Sequence, residues 1–204
     1  IDTTASFSSD YQEARSKFLA AAIGAGGAIE TIPHPECGPD GGELFTDVAA
    51  FAVNEADRVL VLISGTHGVE GFCGSGAQID LLRRAEMRRL PQGVGVLMIH
   101  AINPYGFAWL RRVTHENIDL NRNWIDFSHP LPENPGYDEL HPSICPRIWN
   151  SETQLAAEQA IKDFTQKHGH EAMRNALSGG QYNHADGLFY GGKAPSWSQK
   201  TQAS

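Results

Sequence analysis

Arg58–Gly76 reads RVLVLISGTHGVEGFCGSG. Val59 to Ile63 is an unbroken apolar run rich in β-branched residues, the pattern of a strand buried on both faces of a parallel or mixed sheet beneath helices. It leads into Gly65-Thr66-His67-Gly68-Val69-Glu70-Gly71, where His67 and Glu70 stand three apart among glycines. From Ser75 onward, Ala77, Ile79, Leu81 and Leu82 are consistent with the start of a helix. A strand, a glycine loop and a helix in that order place ligand chemistry in the crevice outside the carboxyl end of the strand. Imidazole and carboxylate are donors that Zn²⁺ accepts at about 2.0–2.2 Å. The glycines let the backbone turn tightly enough for both to reach one point. The plainer reading makes Glu70 a helix cap and His67 an incidental loop histidine.

Upstream, Asp10–Ile23 has helical spacing and stops before Gly24, Gly26 and Gly27. Ala28–Ile32 reads as a strand closed by Pro33 and Pro35, and Leu44–Val53 as another. Downstream of the helix, Gly95–Ile102 is a further apolar strand; His100 within it reads as a core residue. Asn103-Pro104-Tyr105-Gly106 has turn chemistry. Pro130, Pro132, Pro135, Pro142 and Pro146 mark a loop without periodicity, and Ser151 opens a helix to about His168. Glu171–Leu177 suits a short helix, and Ser178–Trp197 an extended Gly-rich, aromatic loop. The expected fold is α/β, with a mixed, mostly parallel central sheet flanked by helices on both faces, in one domain over residues 1–204.

The 204 residues are 41% hydrophobic, enough for a core. A net charge of −8 argues against nucleic acid as partner. No apolar run approaches the roughly 18 residues of a membrane span. The opening IDTTASFSSD lacks a basic segment followed by an apolar core, so no signal peptide is expected, although Ile1 implies residues upstream. Cys37, Cys73 and Cys145 are odd in number and widely spaced, which suits free thiols and a cytoplasmic location.

A second informative stretch is Arg111–Trp124, RRVTHENIDLNRNW. With the His-x-x-Glu loop it resembles the zinc carboxypeptidase clan, which includes metallocarboxypeptidases, bacterial murein-peptide amidases and the aspartoacylase/succinylglutamate desuccinylase group. The wording HGVEGFCGSGAQ, HAINPYGFAWLRRVTHENIDLNRNW and GQYNHADGLFYGGKAPSWS looks closest to an uncharacterised bacterial branch, over roughly Val59 to Ser198. The resemblance implies a zinc-dependent hydrolase that cleaves an amide beside a free carboxylate, acting on a small peptide or an N-acyl amino acid. It implies one Zn²⁺ with His67 and Glu70 as two of three ligands, and Arg112 polarising the carbonyl, a role that adjacent Arg111 also suits. Asn121 and Arg122 would receive the substrate carboxylate. A guanidinium stabilises developing oxyanion charge and matches a carboxylate bidentately. Asp119 reads as a residue that positions the loop, and an ion pair between it and Arg122 is the plainer alternative.

The family's third ligand, a later-strand His, and its catalytic Glu have no counterpart here. The chain is therefore expected to lack the C-terminal strands and to show weak catalysis or none by itself. A non-catalytic carboxylate-binding module of the same fold is the alternative. Gly71-Phe-Cys73-Gly-Ser75 lies where a nucleophile elbow would but departs from its pattern. Gly74-Ser-Gly76 lacks the third glycine of a nucleotide loop.

Overall fold

The computed structural model describes residues 3–202, without the side chains of Arg88 and Gln202. Expectations for the chain's two ends, at Ile1 and Ser204, lie outside these residues. Two compact units make up the chain, one ending at His115 and the other beginning at Glu116.

In the first unit, α1 (Tyr11–Gly24) starts where Asp10, in extended conformation, accepts a hydrogen bond from Glu13 N. Four strands follow: β1 (Ala28–Cys37), β2 (Glu43–Phe51), β3 (Arg58–Ile63) and β4 (Val94–His100). Their order in the sheet is β1-β2-β4-β3. The β1–β2 and β2–β4 pairs are antiparallel and β3–β4 is parallel. The sheet is mixed, but the expected parallel majority is corrected, since one pairing in three is parallel. A tight turn at Gly38–Gly42, closed by Gly38 N–H to Gly42 O, can join only antiparallel neighbours. Only the β3–β4 connection, through α2 (Gly71–Leu82), returns a strand parallel to its neighbour. β1 continues through Pro33 and Pro35 instead of closing there. It is an edge strand whose register breaks between Pro33 and Cys37, and an edge tolerates missing N–H groups.

The largest correction concerns β3. Its apolar run is not buried on both faces: it forms the other edge, with Val59, Leu60, Val61 and Ile63 exposed by 41%, 51%, 48% and 49%. β4 holds the central place and is the buried strand, with Gly95, Val96, Met98, Ile99 and His100 all covered. An unbroken apolar run signals a strand but not its rank in the sheet. Phe18 and Ala22 of α1, Ala49 and Phe51 of β2, Ile79 and Leu82 of α2, and Val96 and Met98 of β4 form the main core. Within this unit α1 and α2 thus share one face of the sheet, where helices on both faces were expected. His100 is a core residue: its ring stacks on Phe18 at 4.4 Å and its Nε2 lies 2.9 Å from Ser75 Oγ. A short helix, α3 (Pro104–Ala108), replaces the expected turn, capped by Asn103.

The second unit holds α4 (Leu120–Asn123), α5 (Pro135–Ile144), α6 (Ser151–His168), α7 (His170–Ser178) and α8 (Trp197–Gln202). α6 opens with a capping box between Asn150 and Thr153. α5 lies in the stretch expected to be loop. Asn134 caps it, and Pro135 occupies a first-turn position where its missing N–H costs nothing. Leu140, Phe164 and Ala176 pack α5, α6 and α7 together. Beyond α7, a bridge between Gln181 and Tyr190 closes the Gly-rich loop.

Candidate functional site

The strand ends that carry the His-x-x-Glu loop are tied before the loop begins. Gly65 turns the chain after β3 at φ +73°, and a Cβ there would stand 2.8 Å from Ala101 Cα. Ile102 N–H and Asn103 N–H donate to Ser64 O and Gly65 O at 3.0 and 3.1 Å. The buried amide of Gln78, on α2, donates to Leu62 O at 2.9 Å and Ile99 O at 3.2 Å, and accepts from Ser64 Oγ at 2.8 Å. One helix side chain therefore fastens β3 to β4 where the site starts.

His67 is 9% exposed, and its Nδ1 lies 3.1 Å from Arg112 O. A carbonyl can only accept, so Nδ1 is the donor in this contact. Next to it, Gly68 N–H donates to Arg111 O at 2.9 Å, and Arg111 N–H donates to Gly106 O at 2.8 Å. A Cβ on Gly68 would run into Gly106 O and the backbone of Arg111, so only glycine allows this approach. Glu70 is exposed, immediately precedes α2, and makes no side-chain cap bond. The capping role open to it in the sequence is therefore absent. Arg111 and Arg112 both expose their side chains while their carbonyls strap the loop. Cys73 is an exposed free thiol in the first turn of α2.

His67 and Glu70 offer an imidazole and a carboxylate. They are ligand types zinc takes, and a ligating imidazole commonly gives its other ring N–H to a carbonyl. A catalytic zinc needs three protein ligands. Among the described residues, no group of three or more His, Cys, Asp and Glu side chains comes together to hold a metal.

His67, Glu70 and Arg112 belong to the first unit, and Asn121 and Arg122 to the second. Asp119 is fully buried and caps α4, its Oδ1 accepting from Asn121 N–H at 2.9 Å. It positions the loop, as expected. Arg122 does not pair with it. Its Nη1 donates to Asn121 O at 3.1 Å and its Nη2 to Ser178 O at 2.7 Å, and the guanidinium carbon stands 5.8 Å from the Phe189 ring centroid. Residues not singled out by sequence hold this segment. Asn117 donates to Ala185 O and Gly187 O at 2.9 and 3.0 Å. Buried Asn123 donates to Gly191 O and Ala194 O at 2.8 and 3.0 Å and accepts from Ser196 N–H at 2.9 Å. The repeated asparagines of N-I-D-L-N-R-N were the one available signal, since Asn side chains habitually bond backbone.

Fold and site define an α/β protein with a His-x-x-Glu loop at the end of a sheet strand and a braced Asn-Arg-Asn turn. A family model described as "Protein of unknown function (DUF2817)" matches residues 7–204, and the chain belongs to that family. No curated protein matches it. Among solved structures, it is similar to Tannerella forsythia glutaminyl cyclase (14% identity, TM-score 0.36, covering 55% of this chain and 46% of that one). It is also similar to a Zn-dependent exopeptidase from Parabacteroides distasonis (13%, 0.34, 66% and 47%). A leucine aminopeptidase precursor from Bacteroides thetaiotaomicron is a third (11%, 0.32, 67% and 49%). The chain spans less than half the length of each of these three. Among the described residues no helix is long and apolar enough to cross a membrane.

Proposed function

We propose that the protein is a zinc-dependent hydrolase cleaving an amide beside a free carboxylate, of carboxypeptidase or N-acyl amino acid deacylase type. The observation that carries this reading is the buried His67 ring, whose Nδ1 is turned onto the Arg112 carbonyl one turn before the exposed carboxylate of Glu70. Bound zinc would polarise the amide carbonyl and activate water. His67 and Glu70 would hold the ion. Arg112 stabilises the oxyanion, and Asn121 with Arg122 receives the substrate carboxylate. No third donor or general base is assigned within this chain, so turnover by these residues alone is expected to be weak or absent. Three free cysteines accord with a reducing, cytoplasmic setting. A second reading, a carboxylate-binding module without chemistry, draws on the bracing of Arg122.

The test is hydrolysis of N-acetylated amino acids and C-terminal dipeptides with added zinc, beside His67→Ala and Arg122→Ala. Zinc binding, with any zinc-dependent turnover, that is lost in His67→Ala supports the hydrolase. Carboxylate binding that needs Arg122, without turnover or zinc binding, selects the module instead.

A further inference from the structure

The Arg122 guanidinium is more constrained than a carboxylate-binding side chain on a surface turn would be. Each terminal nitrogen gives one hydrogen to a carbonyl, Asn121 O or Ser178 O, and keeps another for an outside acceptor. Ser178 is the last residue of α7, where carbonyls lack intrahelical partners and attract a cation. The Nε is buried without a hydrogen-bond partner. The stem passes directly over Gly180, which has φ +96° and where a Cβ would lie 2.5 Å from Arg122 Cδ and 3.0 Å from Nε. On the backbone side, the Tyr182 hydroxyl donates to Arg122 O at 2.7 Å. That carbonyl belongs to a helix of four residues, too short to satisfy it internally. Tyr182 is 6% exposed, and its ring is packed against Gly191, whose carbonyl accepts from Asn123. Burial raises the hydroxyl's pKa, which keeps it a donor.

We propose that Tyr182 is a positioning residue for carboxylate recognition: its hydroxyl fixes the Arg122 carbonyl while Gly180 leaves room for the stem, so the guanidinium is presented in one orientation. This rests on the reading of Arg122 as the carboxylate receptor. A fork held in one orientation loses less freedom on binding than a mobile one, so losing the hydroxyl weakens binding of an acid without touching the acid itself.

The experiment compares the wild-type chain with Tyr182→Phe, Gly180→Ala and Arg122→Ala. Calorimetry would measure binding of N-acetylglycine and of its uncharged counterpart N-acetylglycinamide, and ¹⁵N spectra would follow the Arg122 Nε–H signal. Tyr182→Phe is expected to weaken N-acetylglycine binding roughly three- to tenfold, the effect of one hydrogen bond, leave N-acetylglycinamide unchanged, and broaden the Nε–H signal. Gly180→Ala, which keeps the hydroxyl but fills the space beneath the stem, is expected to move the same signal. A purely structural tyrosine would weaken both probes alike, which would overturn the proposal. Wild-type affinity and an unchanged Nε–H signal in Tyr182→Phe would overturn it too, while loss of acid binding in Arg122→Ala would still support the carboxylate reading. If Arg122→Ala itself leaves acid binding intact, the carboxylate reading falls first.

Discussion

The loop around His67 and the turn around Arg122 are both held firmly, by opposite means. The first is fixed mainly through backbone groups: Gly68 N–H to Arg111 O, the Arg112 carbonyl that holds the His67 ring, and glycines at 65 and 68 that allow the chains to touch. The second is fixed by side chains: Asn117, Asp119, Asn123 and Tyr182 each reach backbone groups of their own unit. A loop held by backbone fails when a side chain is added. A turn held by side chains fails when one is removed.

The sharpest way to break this contrast is Gly68→Ala. The added Cβ meets backbone atoms that cannot swing aside, so we expect a loss of about 3 kcal/mol or more in chemical denaturation. A loss near zero would show the straps to be slack.

Acid probes the same contrast between the units. Burial pulls His100, in the first unit, from an ordinary 6.5 down to about 4. The unfolded chain then takes up a proton first as pH falls. The stability tied to neutral His100 is complete above about 6.5 and is lost between 6.5 and 4. Between pH 7 and pH 4.5 the first unit should lose roughly 2–3 kcal/mol from this group. His34, also lowered to about 4 by burial and by the charge of His115, adds a smaller, solvent-screened share of the same sign. Denaturation at both pH values, with His100→Leu expected to flatten the profile, checks this; an unchanged slope in that variant would assign the effect elsewhere.

Asn123→Ala is the matching perturbation of the second region. It removes three hydrogen bonds at a fully buried site, and about 2 kcal/mol should follow. Smallest of all is Glu70→Gln: an exposed carboxylate without a cap bond should change stability by no more than about 0.5 kcal/mol. If Glu70→Gln cost as much as Asn123→Ala, the carboxylate would be structural rather than kept for a ligand.

Local signals in the sequence recovered the elements that local physics controls. α1 and α6 fall within a residue of expectation because Asp10 and Asn150 cap them and apolar residues recur on one face. What escaped was set by contacts distant in sequence. β3 and β4 are equally apolar, yet one is an edge and the other central, because pairing partners and not composition fix rank. α2 begins at Gly71 rather than near Ser75, and the glycines there are not loop signals: Gly71 packs on Phe107 and Gly74 on Ser64, where a larger residue would crowd. α5 was hidden by its prolines although Asn134-Pro135 is a helix start. His67 and Glu70 stand out in the sequence by their spacing, and Arg112, Asn121 and Arg122 by resemblance; their roles are those proposed above. The carbonyls that orient His67, and the Tyr182–Gly180 support under Arg122, left no local trace, since backbone acceptors have no residue signature.

The most direct test is zinc affinity of the chain at neutral pH, measured for wild type, His67→Ala, Glu70→Gln and Cys73→Ser. Two donors that share one ion predict that the first two substitutions each weaken zinc binding by about tenfold or more, and that Cys73→Ser leaves it unchanged. Equal zinc affinity in wild type, His67→Ala and Glu70→Gln would contradict the assignment of these residues as the metal-binding pair.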